Sequence, residues 1–300
     1  MVTYRPSEEA RACAEAVAAQ FPRVVIVDNG SGPRHEAVLQ KLEALPGIEL
    51  LRLDANRGIA AALNIGIRRL QTRQVRWVAL FDQDTWIPRD YLNDMLRTWE
   101  LCPWSSRLAL LSPVHESENR EDSKVPLSSS SAVCEPVASA ISSGALVLAE
   151  AMTAVGGFDE SLFIDYVDFD FCLRLRRAGY RLGRAPCVRV RHNLGRARPV
   201  RLGPWNLTIR SHQPWRYYYI FRNRILLYRR YWCSAPGWCV HDLFWFVLDG
   251  IKAGCLESGR RECVSWALRG IRDGLLGRRG ARVLPSAPGN APEPRLESRH

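Results

Sequence analysis

"RVVIVDNGSG", residues 23–32, decides the fold. Four β-branched residues in a row make a short strand, and Asp28-Asn29-Gly30 stops it in a turn. Upstream, Val2-Thr3-Tyr4 reads as the end of another strand, with Arg5-Pro6 as a breaker and Ser7 capping a helix that opens on Glu8 and Glu9. Downstream, helix signals over 33–45 lead to a third strand in "IELLRLDANRG". "GIAAALNIGIRRL" places its apolar residues at helical spacing, "VRWVALFDQD" is a fourth strand, and Pro88 opens the next helix. Strand and helix alternate with short loops, which predicts an α/β fold whose parallel sheet carries helices on both faces. Ligands meet such sheets at the carboxyl ends of the strands. Thr3, Asp28, Asn56, Asp82 and Asp84 all fall at or just after those ends.

The pattern changes after residue 114. "HESENREDSKVPLSSSSAVCEP", residues 115–136, is polar and Ser-rich and reads as a mobile loop. "VASAISSGALVLAE" returns to strand, and "GGFDESLF" is a turn. "DYVDFDFCLRLRRAGY" has apolar residues at 167, 171, 175 and 178, one helical face, and Gly179 ends it. "RLGRAPCVRVRHNLG" is a strand ending at His192. From 214 the chain turns aromatic and Arg-rich in two or three amphipathic helices, and from 281 it is Pro-, Gly- and charge-rich, the composition of a disordered tail.

The 300 residues are 47% hydrophobic, enough for a sizeable core. A net charge of +11, carried mostly by Arg, suits phosphates, nucleic acid or anionic lipid, although Arg-rich coding alone can produce it. Nine cysteines show no C-x-x-C pair, and Cys172, Cys239 and Cys255 sit in apolar runs. They read as small buried hydrophobes in a reducing compartment. No signal peptide and no stretch of about 18 uncharged apolar residues is present, so the expectation is a cytosolic protein without a transmembrane helix.

Asp82 and Asp84 flank one residue in "ALFDQDTWIP", and strand alternation puts both on one face. Two close carboxylates repel, and a divalent cation relieves that repulsion. Mg2+ binds through one or two carboxylates together with substrate phosphates. A turn using Asp for side-chain to backbone bonds would produce the same letters. Asp28 could accept hydrogen bonds from a ribose or serve only its turn. Asn56 could cap the following helix, while Arg57, Gly58 and the helix N-terminus favour phosphate. His192 could complete an oxygen-rich site for Mg2+ or Mn2+ or act only structurally. Asp165 and Asp168 are three apart at a helix start. They form either an N-cap with an acidic N3 residue or a site where the positive helix end keeps a catalytic base ionised.

Together these segments resemble the family 2 glycosyltransferases of GT-A fold, and within them the bacterial rhamnosyltransferase branch that builds lipopolysaccharide O-antigens. The matching stretches are "VTYRP", "VIVDNGSG", "DANRGIAAALNIGI", "ALFDQDTWIP", "SSGALVLAEAMTAVGGFDESLFIDYVDFDFCLRLRRAGYRL", "VRVRHNLG" and "YYYIFRNRILLYRRY", in family order over about residues 2–230. The resemblance implies a mixed, mostly parallel nucleotide-diphospho-sugar transferase sheet over residues 1–213. Its donor-binding half would be about 1–114 and its acceptor and catalytic half about 115–213, followed by a helical region at 214–280 and the tail at 281–300. It implies that Thr3, Tyr4 and Asp28 hold the base and ribose of a nucleotide sugar, with Asn56, Arg57 and Gly58 along the nucleotide. Asp82 would reach the ribose or a metal-bound water, and Asp84, with His192, would hold Mg2+ or Mn2+ at the diphosphate. The glutamate-aspartate pair of many members aligns with Val167-Asp168, leaving Asp168 as the base and Asp165 as the second choice.

The implied reaction is an inverting displacement that moves L-rhamnose from dTDP-rhamnose to a saccharide or lipid-linked saccharide. Only Met1 precedes Val2, fewer apolar residues than the family places there. Either translation begins upstream of Met1 or the nucleotide pocket is weakened at Thr3 and Tyr4. The aromatic and Arg-rich helices could lie peripherally on the cytoplasmic face of the inner membrane or pack as a helical subdomain. A nucleic-acid-binding protein would also be basic and aromatic, but acids at the strand ends would repel nucleic acid, which is not expected as a partner. The remaining alternatives are a glycosyltransferase that uses another nucleotide sugar and a transferase domain that binds donor without turnover.

Overall fold

The computed structural model describes residues 1–72, 75–116, 133–192, 197–202, 205–257 and 259–282. The greater part of the Ser-rich loop and of the expected tail lies outside these residues, as do the side chains of residues 192, 197–202 and 205–210. The chain packs as two compact units. One comprises Met1–Phe158 with Asp168–Leu194, the other Asp159–Val167 with Gly195–His300.

The first unit opens with β1 (Val2–Thr3), α1 (Glu8–Ala18), β2 (Val24–Asp28), α2 (Glu36–Glu43), β3 (Ile48–Arg52) and α3 (Ile59–Gln71). It continues through β4 (Trp77–Leu80), β5 (Thr85–Trp86), α4 (Tyr91–Leu101), β6 (Leu108–Glu116), β7 (Glu135–Pro136), β8 (Ala145–Leu148) and α5 (Ala149–Ala154). It ends with α6 (Val167–Arg177) and β9 (Arg181–His192). Strands β1, β2 and β3 are parallel neighbours, with Val2 opposite Val27 and Val24 opposite Ile48. A parallel bridge from Val2 to Asp82 joins them to a second run ordered β4-β8-β6-β9-β5, with β7 also on β9. There β6 and β9 are parallel, and β4, β5, β6 and β7 make antiparallel pairings with β8 or β9.

Every residue of β2 is buried. Val24 and Ile26 join the cluster built by Ala14 and Val17 of α1, Leu39 and Leu42 of α2, and Tyr91, Met95 and Trp99 of α4. Val25 and Val27 face the other way, toward α3, where a Cβ on Gly66 would lie 3.2 Å from the Val27 Cγ2. Helices therefore cover both faces, and each fully buried aliphatic side chain contributes about 1.5–3 kcal/mol. Three local expectations shift. The helix expected from Pro88 begins at Tyr91, the Ser7 side chain makes no capping bond, and α6 ends at Arg177, leaving Ala178 exposed. All nine cysteines are free; Cys172 and Cys239 are buried as expected, but Cys255 is exposed.

The second unit holds a hairpin of β10 (Ala197–Leu202) and β11 (Trp205–Arg210), then α7 (Pro214–Tyr231), α8 (Pro236–Ile251) and α9 (Arg260–Leu275). Pro at the first position opens both α7 and α8. Helices α7 and α9 approach through glycine: a Cβ on Gly270 would sit 2.3 Å from the Tyr218 carbonyl oxygen. Past α9 the chain returns to α7, where Arg222 Nη1 donates to the Gly280 carbonyl (2.5 Å) and the Tyr219 hydroxyl accepts from the Arg282 amide (2.7 Å).

Residues 159–167 belong to this unit rather than to the sheet, so the packing does not divide at residue 213. The reason lies in α7. Asn223 Nδ2 donates to the carbonyls of Leu162, Ile164 and Asp165 (3.0, 2.8 and 2.8 Å), and Arg222 Nη2 to that of Leu162 (2.8 Å). These bonds surround Phe163, Asp165 and Tyr166, which stand at positive φ of 67°, 61° and 63°. Each such non-glycine residue costs of order 1–3 kcal/mol and persists only where surrounding structure imposes it.

Candidate active site

The strand ends of the first unit form one hydrogen-bonded edge. At the end of β2, Asp28 is almost fully buried and its carboxylate accepts from the Thr3 hydroxyl (3.3 Å), the Ser31 amide (3.1 Å) and the Ser31 hydroxyl. The Ser31 hydroxyl also accepts from the Arg5 amide (2.8 Å). Asn29 extends this edge toward the next loop. Its Oδ1 accepts from the Arg57 amide (2.9 Å), and its Nδ2 donates to Asn56 Oδ1 (3.1 Å). Asn56 Oδ1 also accepts from the Gly58 amide (2.9 Å), a turn bond ahead of α3 rather than a cap on it, since Gly58 occupies the cap position. Arg57 is exposed at this rim, beside the α3 N-terminus.

Gly30 makes the edge possible. It has φ of 77°, and a Cβ there would lie 2.4 Å from the Ala55 carbonyl carbon and 2.7 Å from the Asn56 nitrogen. The two loops touch backbone to backbone, which only glycine permits.

The acid turn 82–84 joins this edge through Gln83, the residue between the two aspartates. Gln83 Oε1 accepts from the Tyr4 amide (2.9 Å) and its Nε2 donates to the Tyr4 carbonyl (3.2 Å). Ser143, 1% exposed, anchors the other side. Its hydroxyl accepts from the Asp82 amide (3.0 Å) and lies 2.5 Å from the Thr85 hydroxyl. Its carbonyl lies 2.7 Å from His115 Nε2. Ser143→Ala is expected to lower stability by about 1–3 kcal/mol, because the Asp82 amide and Thr85 hydroxyl lose a partner. Thermal unfolding checks this.

Among the described residues, no group of three or more His, Cys, Asp and Glu side chains could hold a metal ion by itself. The donor set fits a different kind of site. Two carboxylates on one turn can share a hard cation with substrate phosphates, which is how Mg2+ is commonly bound. The β5–β9 register places His192 opposite Thr85, directly after Asp84. The His192 side chain itself lies outside the described residues.

Asp168, the second residue of α6, lines a cavity of about 410 Å3 together with His115, Glu135, Ile141, Phe169 and Arg184. His115 connects this cavity to Ser143 and so to the acid turn. Hydrogen bonds link Asn56 to Asn29 and Asn29 to Thr3, Gln83 to Tyr4, and the Asp82 amide through Ser143 to His115 on the cavity wall. One turn along α6 from Asp168, burial pushes the Cys172 thiol up to about 12, with the Asp168 charge adding to the rise.

Asp165 is placed otherwise, in the second unit. It is two residues before the first helical residue and left-handed, so it does not cap α6. Its carboxylate takes both ends of the Arg216 guanidinium, at 2.5 and 3.3 Å. Asp165 in turn raises the Arg216 pKa. Gln83, Asn29, Ser31 and Ser143 were not singled out from the sequence. "DNGS" carried a local turn signal for two of them, but nothing local marks Gln83 or Ser143.

Residues 1–102 match the model of glycosyl transferase family 2, and residues 77–251 that of glycosyl transferase family group 2. The dTDP-rhamnosyl transferase RfbF of Shigella flexneri is 31% identical over 252 residues, covering 77% of this chain and 79% of that protein. Among solved structures, S. aureus TarS 1–349 in complex with UDP-GlcNAc superposes with a TM-score of 0.53 at 13% identity, over 92% of this chain and 80% of that one. GalNAc-T7 with UDP, GalNAc and Mn2+ gives 0.52 at 13% identity, over 85% of this chain but only 50% of that longer one. These structural neighbours are GT-A glycosyltransferases and establish the fold.

Proposed function

Because the chain belongs to glycosyl transferase family 2, in its bacterial rhamnosyltransferase branch, we propose that it transfers L-rhamnose from dTDP-rhamnose with inversion to a saccharide acceptor. Thr3, Tyr4 and Asp28 bind the thymidine end, and Asp82 the ribose. The amides and side chain of the Asn56-Arg57-Gly58 rim, at the start of α3, attract the diphosphate. The acceptor sugar occupies the cavity at Asp168. Asp168 accepts the proton from an acceptor hydroxyl as that oxygen attacks the anomeric carbon. The bond to the diphosphate oxygen breaks, and the nucleoside diphosphate leaves with its electron pair toward Arg57. Asp168 lies in the first turn of α6, whose positive end favours a carboxylate. Asp84 and Asp82, with His192, would hold Mg2+ or Mn2+. The ion would supply charge neutralisation for the leaving diphosphate. Asp165 is committed to Arg216 and is not assigned the proton.

The observation that supports this reading is the strand-end edge, which the Asp82 amide ties to Ser143 and the Ser143 carbonyl ties to His115, a residue that lines the cavity with Asp168. A lipid-linked O-antigen saccharide is the acceptor class, met on the cytoplasmic face of the inner membrane. The test is turnover of dTDP-rhamnose against a panel of other nucleotide sugars, with Mg2+, Mn2+ or chelator. Turnover should be selective for dTDP-rhamnose, lost with chelator, and about a hundredfold lower in Asp84→Ala. Equal turnover by Asp84→Ala and the parent chain would overturn the assignment of the acid turn.

A further inference from the structure

Helix α8 is built inside out. Its two carboxylates turn inward: Arg224 of α7 reaches Asp242 at 3.3 Å and Asp249 at 2.8 Å. The hydroxyls of Tyr166 and Tyr228 donate to Asp242 at 2.8 and 2.6 Å, and Asp242 is only 5% exposed. The apolar side chains turn outward. Val240, Phe244, Val247 and Ile251 recur at spacings of four, three and four and are 60%, 60%, 54% and 53% exposed, with Trp245 beside them at 47%. A helix in water ordinarily buries such a stripe and exposes its acids. A contiguous apolar face of this kind marks contact with an apolar phase or a partner.

Two observations choose the occupant. The sixteen residues of α8 span about 24 Å, short of the ~30 Å hydrocarbon core, and no described helix is long and apolar enough to cross a membrane. The helix could therefore only lie flat. The charge of its unit also points one way. Arg260, Arg261 and Arg269 of α9, and Arg279 after it, are exposed, while of the carboxylates on α8 and α9 only Glu262 is. Anionic headgroups attract a unit of this charge.

We infer that α8 lays its outward stripe into the surface of a bilayer containing anionic phospholipid, as an interfacial helix rather than a spanning one. Phe244 and Trp245 enter the headgroup and acyl boundary, and the arginines of the unit supply long-range attraction. The inference rests on this unit alone and not on the donor or base assignments.

The test uses the full chain and vesicles of phosphatidylcholine, alone or mixed with phosphatidylglycerol, in co-sedimentation without donor or metal. Binding is expected to the mixed vesicles at low salt and to be at least about tenfold weaker for Phe244→Ser/Val247→Ser. Brominated acyl chains should quench tryptophan emission of the parent chain, and less so in Trp245→Phe, a readout that does not depend on the double variant folding. Three results overturn the inference: no binding to mixed vesicles; binding that the double variant leaves intact, which is electrostatic adsorption only; or a parent dimer in free solution that the double variant makes monomeric, with no vesicle binding. A chain that ignores vesicles yet turns over dTDP-rhamnose removes this inference and leaves the transferase reading standing.

Discussion

Asp168→Asn is expected to lower kcat for sugar transfer by about three orders of magnitude while leaving donor affinity within a few-fold of the parent. Asn has the same shape but cannot take the acceptor proton, and general-base catalysis is worth about 10²–10⁴ in rate. The loss is assigned to kcat because Asp168 lines the cavity proposed for the acceptor, while the edge proposed for the donor is held by separate bonds at Asp28, Asn29 and Gln83. Asp165→Asn is the paired control. Its carboxylate already engages Arg216, so its removal should appear in thermal unfolding before it appears in the chemical step. Single-turnover rates and donor titrations on both variants separate the two roles. A full loss of kcat in Asp165→Asn with a stable fold, and none in Asp168→Asn, would exchange the assignments.

Gly30→Ala is expected to be the most damaging single methyl group among the strand-end loops. Two costs add. The residue is left-handed at φ of 77°, and the new Cβ would stand 2.4 Å from backbone carbon of Ala55, which has no flexible end to move aside. The expected loss is about 3 kcal/mol or more, with dTDP binding lost in whatever folds. Gly47 provides the comparison. It has φ of 76° but open space around its Cβ position, so Gly47→Ala should cost only the backbone term, about 1–2 kcal/mol. Chemical denaturation of the two variants, with isothermal titration of dTDP, gives the difference. Equal losses would mean that the contact between the two loops does not matter to the site.

Where the chemistry is local in the chain, the sequence was readable. The run at 24–28 is buried on both sides because a parallel strand between two helical layers must be, and the Ala-rich segment after Gly58 packs closely because small residues permit it. The acids at 28, 82 and 84 could be placed on one edge because a parallel sheet aligns its strand ends. What escaped was set by distant partners. Nothing near residue 80 announces that β4 will pair antiparallel with β8, more than sixty residues on. The roles of Ser143 and Gln83 exist only through bonds 61 and 79 residues away. Asp165 resembled a helix cap because three-residue spacing from Asp168 is what a cap shows. Its actual backbone is imposed by Asn223 and its charge is taken by Arg216, 51 residues distant. Phe163 and Tyr166 are not residue types enriched at positive φ, so the strain at 163–166 could not be foreseen.

The return of the chain onto α7 after α9 sets a practical limit on shortening the protein for crystallography. Gly280 and Arg282 supply groups that Arg222 and Tyr219 use, and Arg282 also reaches Asp273 at 2.9 Å. A version trimmed to the last turn of α9 would strip these partners from a buried guanidinium and a buried phenol. Trimming from residue 283 onward would spare them.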